Sequence, residues 1–205
     1  MLNSSHYPEA SQFLAKLDAD WAALIQTVGV CTFSPALTES PYESLVGAIA
    51  SQQLNLKAAA AIMAKLSGLF NNQFPTPEQL MAASFEDLRS CGFSGRKIET
   101  IQAIANGTLT GLVPSREVAE KLSNDELIER SITIKGIGRW TVEMFLMFTL
   151  GRMDILPVDD FAILQGYKRF KQLETAPKPK EMAQIGLAWQ PYRTVASWYL
   201  WRVAK

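Results

Sequence analysis

Cysteine is nearly absent from this chain of 205 residues: Cys31 and Cys91 are the only two, and His6 is the single histidine. Two thiols are too few for a disulfide scaffold, a four-thiolate zinc site or a cubane iron–sulfur cluster built from within the chain, and they point to a reducing compartment. A dominant sign of charge is lacking as well. Twenty Lys and Arg balance twenty Asp and Glu, which argues against a protein that coats nucleic acid without selectivity, because such proteins carry a large basic excess. No run reaches the roughly 18 uninterrupted apolar residues that a bilayer crossing needs, and the first residues lack the basic-then-apolar pattern of a signal peptide. The expectation is a soluble, cytoplasmic protein, nucleoid-associated if bacterial, with no membrane partner.

The 48% hydrophobic content is enough for a real core. At roughly 100–200 residues per domain the length accommodates one domain or two small interleaved lobes. The charges are unevenly spread: residues 1–130 hold nine basic and fourteen acidic side chains, net −5, whereas residues 131–205 hold eleven and six, net +5. A polyanion would meet the C-terminal part.

Helical spacing of apolar residues runs almost throughout, and no alternating apolar–polar run bounded by hairpin turns suggests a sheet, so the fold class is all-α. Residues 7–28 read as one amphipathic helix and residues 42–66 as another, with Leu45, Val46, Ile49, Leu54 and Ile62 on its apolar stripe. Thr76 before Pro77 and Glu78, and Ser84 before Glu86 and Asp87, have the form of helix N-caps. A helix over 96–106 is expected to end at Gly107 and Gly111. Further helices are predicted over 123–130, 139–150, 160–170, 178–186 and 192–203.

The segment Ile132-Thr-Ile-Lys135-Gly136-Ile137-Gly138-Arg139-Trp140-Thr141 joins two of these helices through Gly-Ile-Gly. Such a turn gathers backbone N–H groups that have no partner at the start of the second helix, where the dipole adds roughly half a positive charge, and that arrangement suits a phosphate. Lys135, Arg139 and Thr141 flank it with two cations and a hydroxyl. On its own, Gly-x-Gly also serves simply to turn the chain.

This stretch resembles the helix-hairpin-helix of the DNA glycosylase superfamily that pairs the hairpin (here about 123–150) with a Gly/Pro-rich loop (about 151–163) and a catalytic Asp. The loop is matched by Gly151-Arg-Met-Asp-Ile-Leu-Pro157-Val-Asp159-Asp160-Phe, with the aliphatic Ile163 three positions after Asp160. Leu45-Val-Gly-Ala-Ile-Ala-Ser51-Gln52-Gln53-Leu54 and Trp189-Gln-Pro-Tyr-Arg193 through Trp198-Tyr-Leu-Trp-Arg202 extend the match. Together they are similar to the compact 3-methyladenine, alkylation-repair type. The resemblance implies a single helical unit over 1–205 made of two interleaved lobes with the active site in the cleft between them. It implies a monomeric, monofunctional glycosylase of base excision repair that flips alkylated purines of the 3-methyladenine or 7-methylguanine type out of double-stranded DNA, hydrolyses them off and leaves an abasic site.

Residue by residue, the resemblance makes Asp160 the catalytic carboxylate, with Asp159 as a capping or structural neighbour. It places Trp140 and Met144 in the base pocket. Gln53 becomes the wedge that fills the gap left by the flipped base, with Leu54 as the alternative plug and Asn55 at the minor groove. Lys135, Gly136, Gly138, Arg139 and Thr141 become phosphate contacts. Lyase-type members carry a lysine where this chain has Trp140, and tryptophan cannot form an imine. No cofactor is required, although the family hairpin often holds a Na+ or K+ ion, here through the carbonyls of Ile132, Ile134 and Ile137; Lys135 stands where relatives often have proline. The aromatic group Trp189, Tyr192, Trp198, Tyr199 and Trp201 reads as core or as a far wall of the pocket, and Arg96-Lys97 as a phosphate contact or a solvated helix start. A noncatalytic damage-binding module and a glycosylase for mismatched or oxidised bases remain open, as does the preferred alkylated base.

Overall fold

The computed structural model describes residues 6–203, the side chain of Leu56 apart. Among them there are helices and no strands. The chain divides into two compact units, one formed by residues up to Pro35 together with those from Gly151, the other by the continuous segment Ala36–Leu150.

The first unit contains α1 (His6–Ala15), α2 (Ala19–Val28), α11 (Phe161–Phe170), α12 (Pro179–Ile185) and α13 (Arg193–Val203). Trp21 is its packing centre. The Trp21 ring lies 4.6 Å from Phe170, 5.4 Å from Trp189 and 6.3 Å from Tyr199, centroid to centroid. All of these except Phe170 are buried, as are Leu14 and Ile163, and fully burying one such side chain contributes about 1.5–3 kcal/mol. Trp189, Trp198 and Tyr199 therefore belong to the core rather than to a pocket wall.

The second unit contains α3 (Pro41–Ser51), α4 (Leu56–Leu69), α5 (Pro77–Ala82), α6 (Phe85–Ser90), α7 (Gly95–Leu109), α8 (Arg116–Ala119), α9 (Asn124–Ser131) and α10 (Arg139–Phe148). Its core joins Leu45, Val46 and Ile49 of α3, Ile98, Ile101 and Ile104 of α7, and Val142, Phe145 and Leu146 of α10. Thr76, Ser84 and Ser123 cap α5, α6 and α9 through hydrogen bonds to the N–H three residues on.

Several expected boundaries are corrected. The helix predicted over 7–28 is two, because Asp18 takes an extended conformation and accepts a hydrogen bond from the Trp21 N–H at 2.9 Å. The helix predicted over 42–66 is likewise two, α4 starting where Asn55 accepts from the Ala58 N–H at 2.9 Å. In both places a short polar side chain competes with the helical backbone for its own N–H groups. Gly107 lies inside α7 and does not end it: a Cβ there would meet Ile134 Cδ1 at 3.2 Å and Val113 Cγ2 at 3.3 Å, so the position is kept small by packing. Gly111, with φ +78°, follows the helix end.

Candidate functional site

Asp160 sits at the N-cap of α11, in extended backbone. Its Oδ1 accepts from the Ile163 N–H at 2.9 Å and from the Trp201 indole N–H at 3.3 Å. Two donors on one oxygen fix the rotamer of the carboxylate, and the helix N-terminus favours an anion at that point. Asp159 is exposed and does not cap; the expected capping role falls to Asp160, whose side chain alone stands three residues before the recipient N–H. Trp201 thus leaves the aromatic group assigned to core and stands against the carboxylate. Nothing in the spacing of that group distinguished it.

The loop that leads to Asp160 is fastened to the start of α13. Arg193 grips Asp154 through Nε at 2.6 Å and Nη2 at 2.9 Å, a two-pronged geometry that adds direction as well as energy. Thr194 donates its N–H to the Met153 carbonyl and its hydroxyl to the Arg152 carbonyl, and accepts from the Ile155 N–H. Ser197 donates to the Ile155 carbonyl.

In the other unit, α9 and α10 are joined by the glycine turn. Gly136 has φ +88°, and a Cβ there would overlap the Thr100 side chain of α7, so glycine is required twice over. Gly138 has φ −96° and caps α10 with no side chain, so of the two glycines in the turn only Gly136 takes the left-handed backbone. The start of α10 therefore has no side-chain acceptor of its own, which leaves the dipole end open to an external anion.

The flanking groups divide. Arg139 is paired with the buried Glu143 at 2.9 Å. Lys135 forms an exposed pair with Glu99 at 2.7 Å, and that cation lowers the Glu99 carboxyl below its ordinary range. Thr141 is only 3% exposed, and its hydroxyl accepts from Gln52 Nε2 at 3.4 Å; of the three flanking side chains expected to meet a phosphate, this one faces inward, because Gln52 and the α10 core hold it there. Ile134 and Ile137 are buried while Ile132 is exposed, and the Ile134 carbonyl already accepts from the Ile137 N–H at 3.0 Å. Among the described residues no cluster of three or more His, Cys, Asp or Glu could hold a metal.

Trp140 is 41% exposed, so its ring is not core. Met144, one turn further on, lines a cavity of about 780 Å³ with Phe145, Phe148, Met63 and Ser51. The connection between α3 and α4 exposes Gln53, whose φ is +58°, and Leu54, 43% exposed rather than on an apolar stripe. Asn55 spends its side-chain oxygen on the α4 cap. Lys97 is half-buried, its ammonium donating to the carbonyls of Ala50 at 2.9 Å and Gln52 at 2.8 Å. A basic residue after Ser-Gly gave no sign of this.

Among the described residues no helix is long and apolar enough to cross a membrane. A family model described as the HhH-GPD superfamily of base excision DNA repair proteins matches residues 46–191. DNA-3-methyladenine glycosylase 1 of Schizosaccharomyces pombe is 46% identical over 199 residues, 96% of this chain and 87% of that protein. The alkylbase DNA glycosidase-like protein mag2 of the same yeast is 40% identical over 207 residues, 100% of this chain and 97% of the relative. A solved structure of the S. pombe 3-methyladenine DNA glycosylase Mag1 in complex with abasic DNA superposes with a TM-score of 0.85 at 46% identity, covering 95% of each chain. With the hairpin, the loop and the N-cap aspartate all inside or beside the matched region, this chain belongs to the HhH-GPD superfamily of base excision DNA repair proteins.

Proposed function

We propose that the chain is a monofunctional DNA-3-methyladenine glycosylase, acting as a cytoplasmic monomer, nucleoid-associated if bacterial, on double-stranded DNA that contains alkylated purines. The observation that carries this reading is Asp160: a carboxylate at a helix N-terminus, its Oδ1 held by two N–H donors, at the position where the superfamily motif puts its catalytic Asp. The two relatives at 40% and 46% identity, named as an alkylbase glycosidase-like protein and a 3-methyladenine glycosylase, support the same substrate class.

Glycosidic cleavage passes through a sugar with oxocarbenium character, which a fixed carboxylate stabilises. N3- and N7-alkylated purines are already cationic and leave without a general acid, so one carboxylate suffices. Water then completes the hydrolysis. Trp140 in place of a lysine removes the amine that an imine-forming lyase needs, and the product is an unnicked abasic site. Its exposed ring is suited to stack on a cationic base, an interaction of up to about 2 kcal/mol when desolvated.

The glycine turn and the start of α10 receive a DNA phosphate, with Lys135 and Arg139 as flanking cations. The carbonyls of Ile132, Ile134 and Ile137 would hold a Na+ or K+ ion, neutral oxygens being suited to a monovalent rather than a divalent cation. That ion would supply positive charge beside the phosphate. Gln53, raised out of the helical path by its left-handed backbone, fills the gap left by the flipped base.

The test is base release from methylated duplex DNA by the wild type and by Asp160→Asn, resolving 3-methyladenine from 7-methylguanine and inspecting the strand for nicks. Release by the wild type, lost in the variant and leaving intact strands, is expected. Retained release by Asp160→Asn removes the residue from the role; binding without release by the wild type makes the chain a damage-binding module.

A further inference from the structure

Between α3 and α4 the backbone does something costly. Gln53 adopts φ +58°, a left-handed conformation that crowds a residue with a Cβ against its own backbone. The residues on either side are held hard. Leu54 donates its N–H to the Ser51 carbonyl at 3.1 Å, and Asn55 is committed to capping α4.

The strongest of these holds comes from outside the connection. Lys97 reaches from the first turn of α7 to carbonyls at the C-terminal end of α3, those of Ala50 and of Gln52 at its C-cap. These carbonyls lie at the negative end of a helix, where backbone acceptors run out of intrahelical donors. The ammonium is half-buried, and desolvation lowers its pKa. Burying that charge is repaid only if the two carbonyls need it.

Gln52 joins this hold to the hairpin. Its carbonyl accepts from Lys97 and its side chain donates to Thr141 in the first turn of α10. Two further contacts bind the same turns of α7 to the hairpin: Gly136 packs against Thr100 and Lys135 pairs with Glu99. The side chains of Gln52, Arg96, Lys97, Thr100 and Lys135 line one groove of about 560 Å³.

We propose that Lys97 is a positioning residue for base flipping, fastening the α3–α4 connection so that Gln53 and Leu54 stay raised and in fixed register with the hairpin. The inference rests on reading that connection as the wedge. Lys97 acts through the carbonyls of Ala50 and Gln52 rather than by touching substrate. Without the ammonium the Gln52 carbonyl loses its charged donor and the left-handed Gln53 its anchor, so the connection relaxes when it has to push into a base stack. A lysine that merely stabilised the fold would affect all substrates alike.

The experiment measures single-turnover release of one methylated purine from a fully paired, a mismatched and a single-stranded oligonucleotide. It compares wild type, Lys97→Met, Lys97→Arg, Gln53→Ala and the Lys97→Met/Gln53→Ala double variant, each checked by thermal unfolding. Lys97→Met is expected to slow release from paired DNA about tenfold and from single strands no more than about twofold, as the loss of hydrogen bonds from a charged donor implies. Lys97→Arg, which keeps a cation with several donors, restores most of the paired rate. In the Gln53→Ala background the Met substitution adds less than about twofold, since coupled residues are non-additive.

Equal loss on all three substrates, or full additivity of the two substitutions, overturns the inference. If Gln53→Ala alone leaves the paired rate unchanged, the wedge assignment falls instead; Lys97 is then judged by its paired-to-single-strand ratio, which stays at the wild-type value if the inference is wrong. Lys97→Gln, which keeps a neutral donor, takes the place of the Met variant should that one lack a cooperative transition.

Discussion

Gly166 of α11 and Leu200 of α13 leave no room for a side chain between them: a Cβ at position 166 would overlap the Leu200 carbonyl oxygen. The obstacle is backbone on a buried helix, so it does not swing aside. Gly166→Ala should therefore force the two helices apart and destabilise the protein by about 1–3 kcal/mol, the ordinary range for overpacking. Leu200 adjoins Trp201, so the same displacement draws the indole away from Asp160. Thermal unfolding together with base release checks both, and a variant with wild-type stability refutes the packing argument.

Trp201→Phe separates the indole donor from the ring. The phenyl group keeps most of the packing while the bond to Asp160 Oδ1 disappears. A carboxylate that has lost the indole donor is held less firmly in its rotamer. The single-turnover rate is expected to fall about fivefold with KM unchanged, the signature of a contact that acts in the transition state. A rise in KM alone would make Trp201 a substrate-binding ring instead.

Glu99 holds Lys135 at the hairpin and places a negative charge beside it. Both side chains are largely exposed, so the pair contributes little to stability. Its effect is on DNA. Glu99→Gln should tighten binding to an abasic duplex about threefold at low salt, and the gain should shrink as salt rises, because it arises from charge near phosphate. Fluorescence anisotropy across a salt series reads this directly; a salt-independent change would point to altered hairpin shape.

The pair of Lys171 with Asp18 and Asp20 ties α11 to the start of α2, at 2.7 and 2.6 Å. Burial pushes the Asp18 carboxyl up, yet the hydrogen bonds from Lys171 and the Trp21 N–H outweigh it and hold the carboxyl below its ordinary range. A lowered carboxyl stabilises the folded state above the unfolded titration near pH 4, and that contribution is lost as pH falls through the lower folded value. Asp18→Asn should accordingly flatten the acid limb of a stability–pH curve below about pH 4. An unchanged acid limb would assign it to other carboxylates.

The all-α class was legible because apolar spacing is a repeated, redundant signal, and so was the place of Asp160 at the start of a helix, because a motif fixes its neighbours on both sides. Thr76 and Ser84 were readable as caps from the Pro77-Glu78 and Glu86-Asp87 that follow them, whereas the cap formed by Ser123 was seen only in the structure. Asp18 and Asn55 cap just as well, but apolar spacing continues across both, and a periodicity argument runs straight through such breaks. The carbonyl bonds of Lys97 and the indole bond of Trp201 were hidden for a different reason. Each depends on which distant backbone or carboxylate lies nearby, and a lysine at a helix start or a tryptophan among aromatics has the same local appearance whichever way it faces.

The continuous segment Ala36–Leu150 closes on itself, the Ala36 N–H reaching the Phe148 carbonyl at 2.7 Å, whereas the other unit draws on residues from both sides of it. During synthesis, which exposes the chain from its N-terminal end at about 5–20 residues per second, the hairpin-bearing segment is available as one continuous stretch as soon as Leu150 emerges. The helices α1 and α2 must wait for α11 and α13. The whole hairpin is thus exposed before α13, whereas the aspartate waits for Trp201 of α13 to arrive from the tunnel.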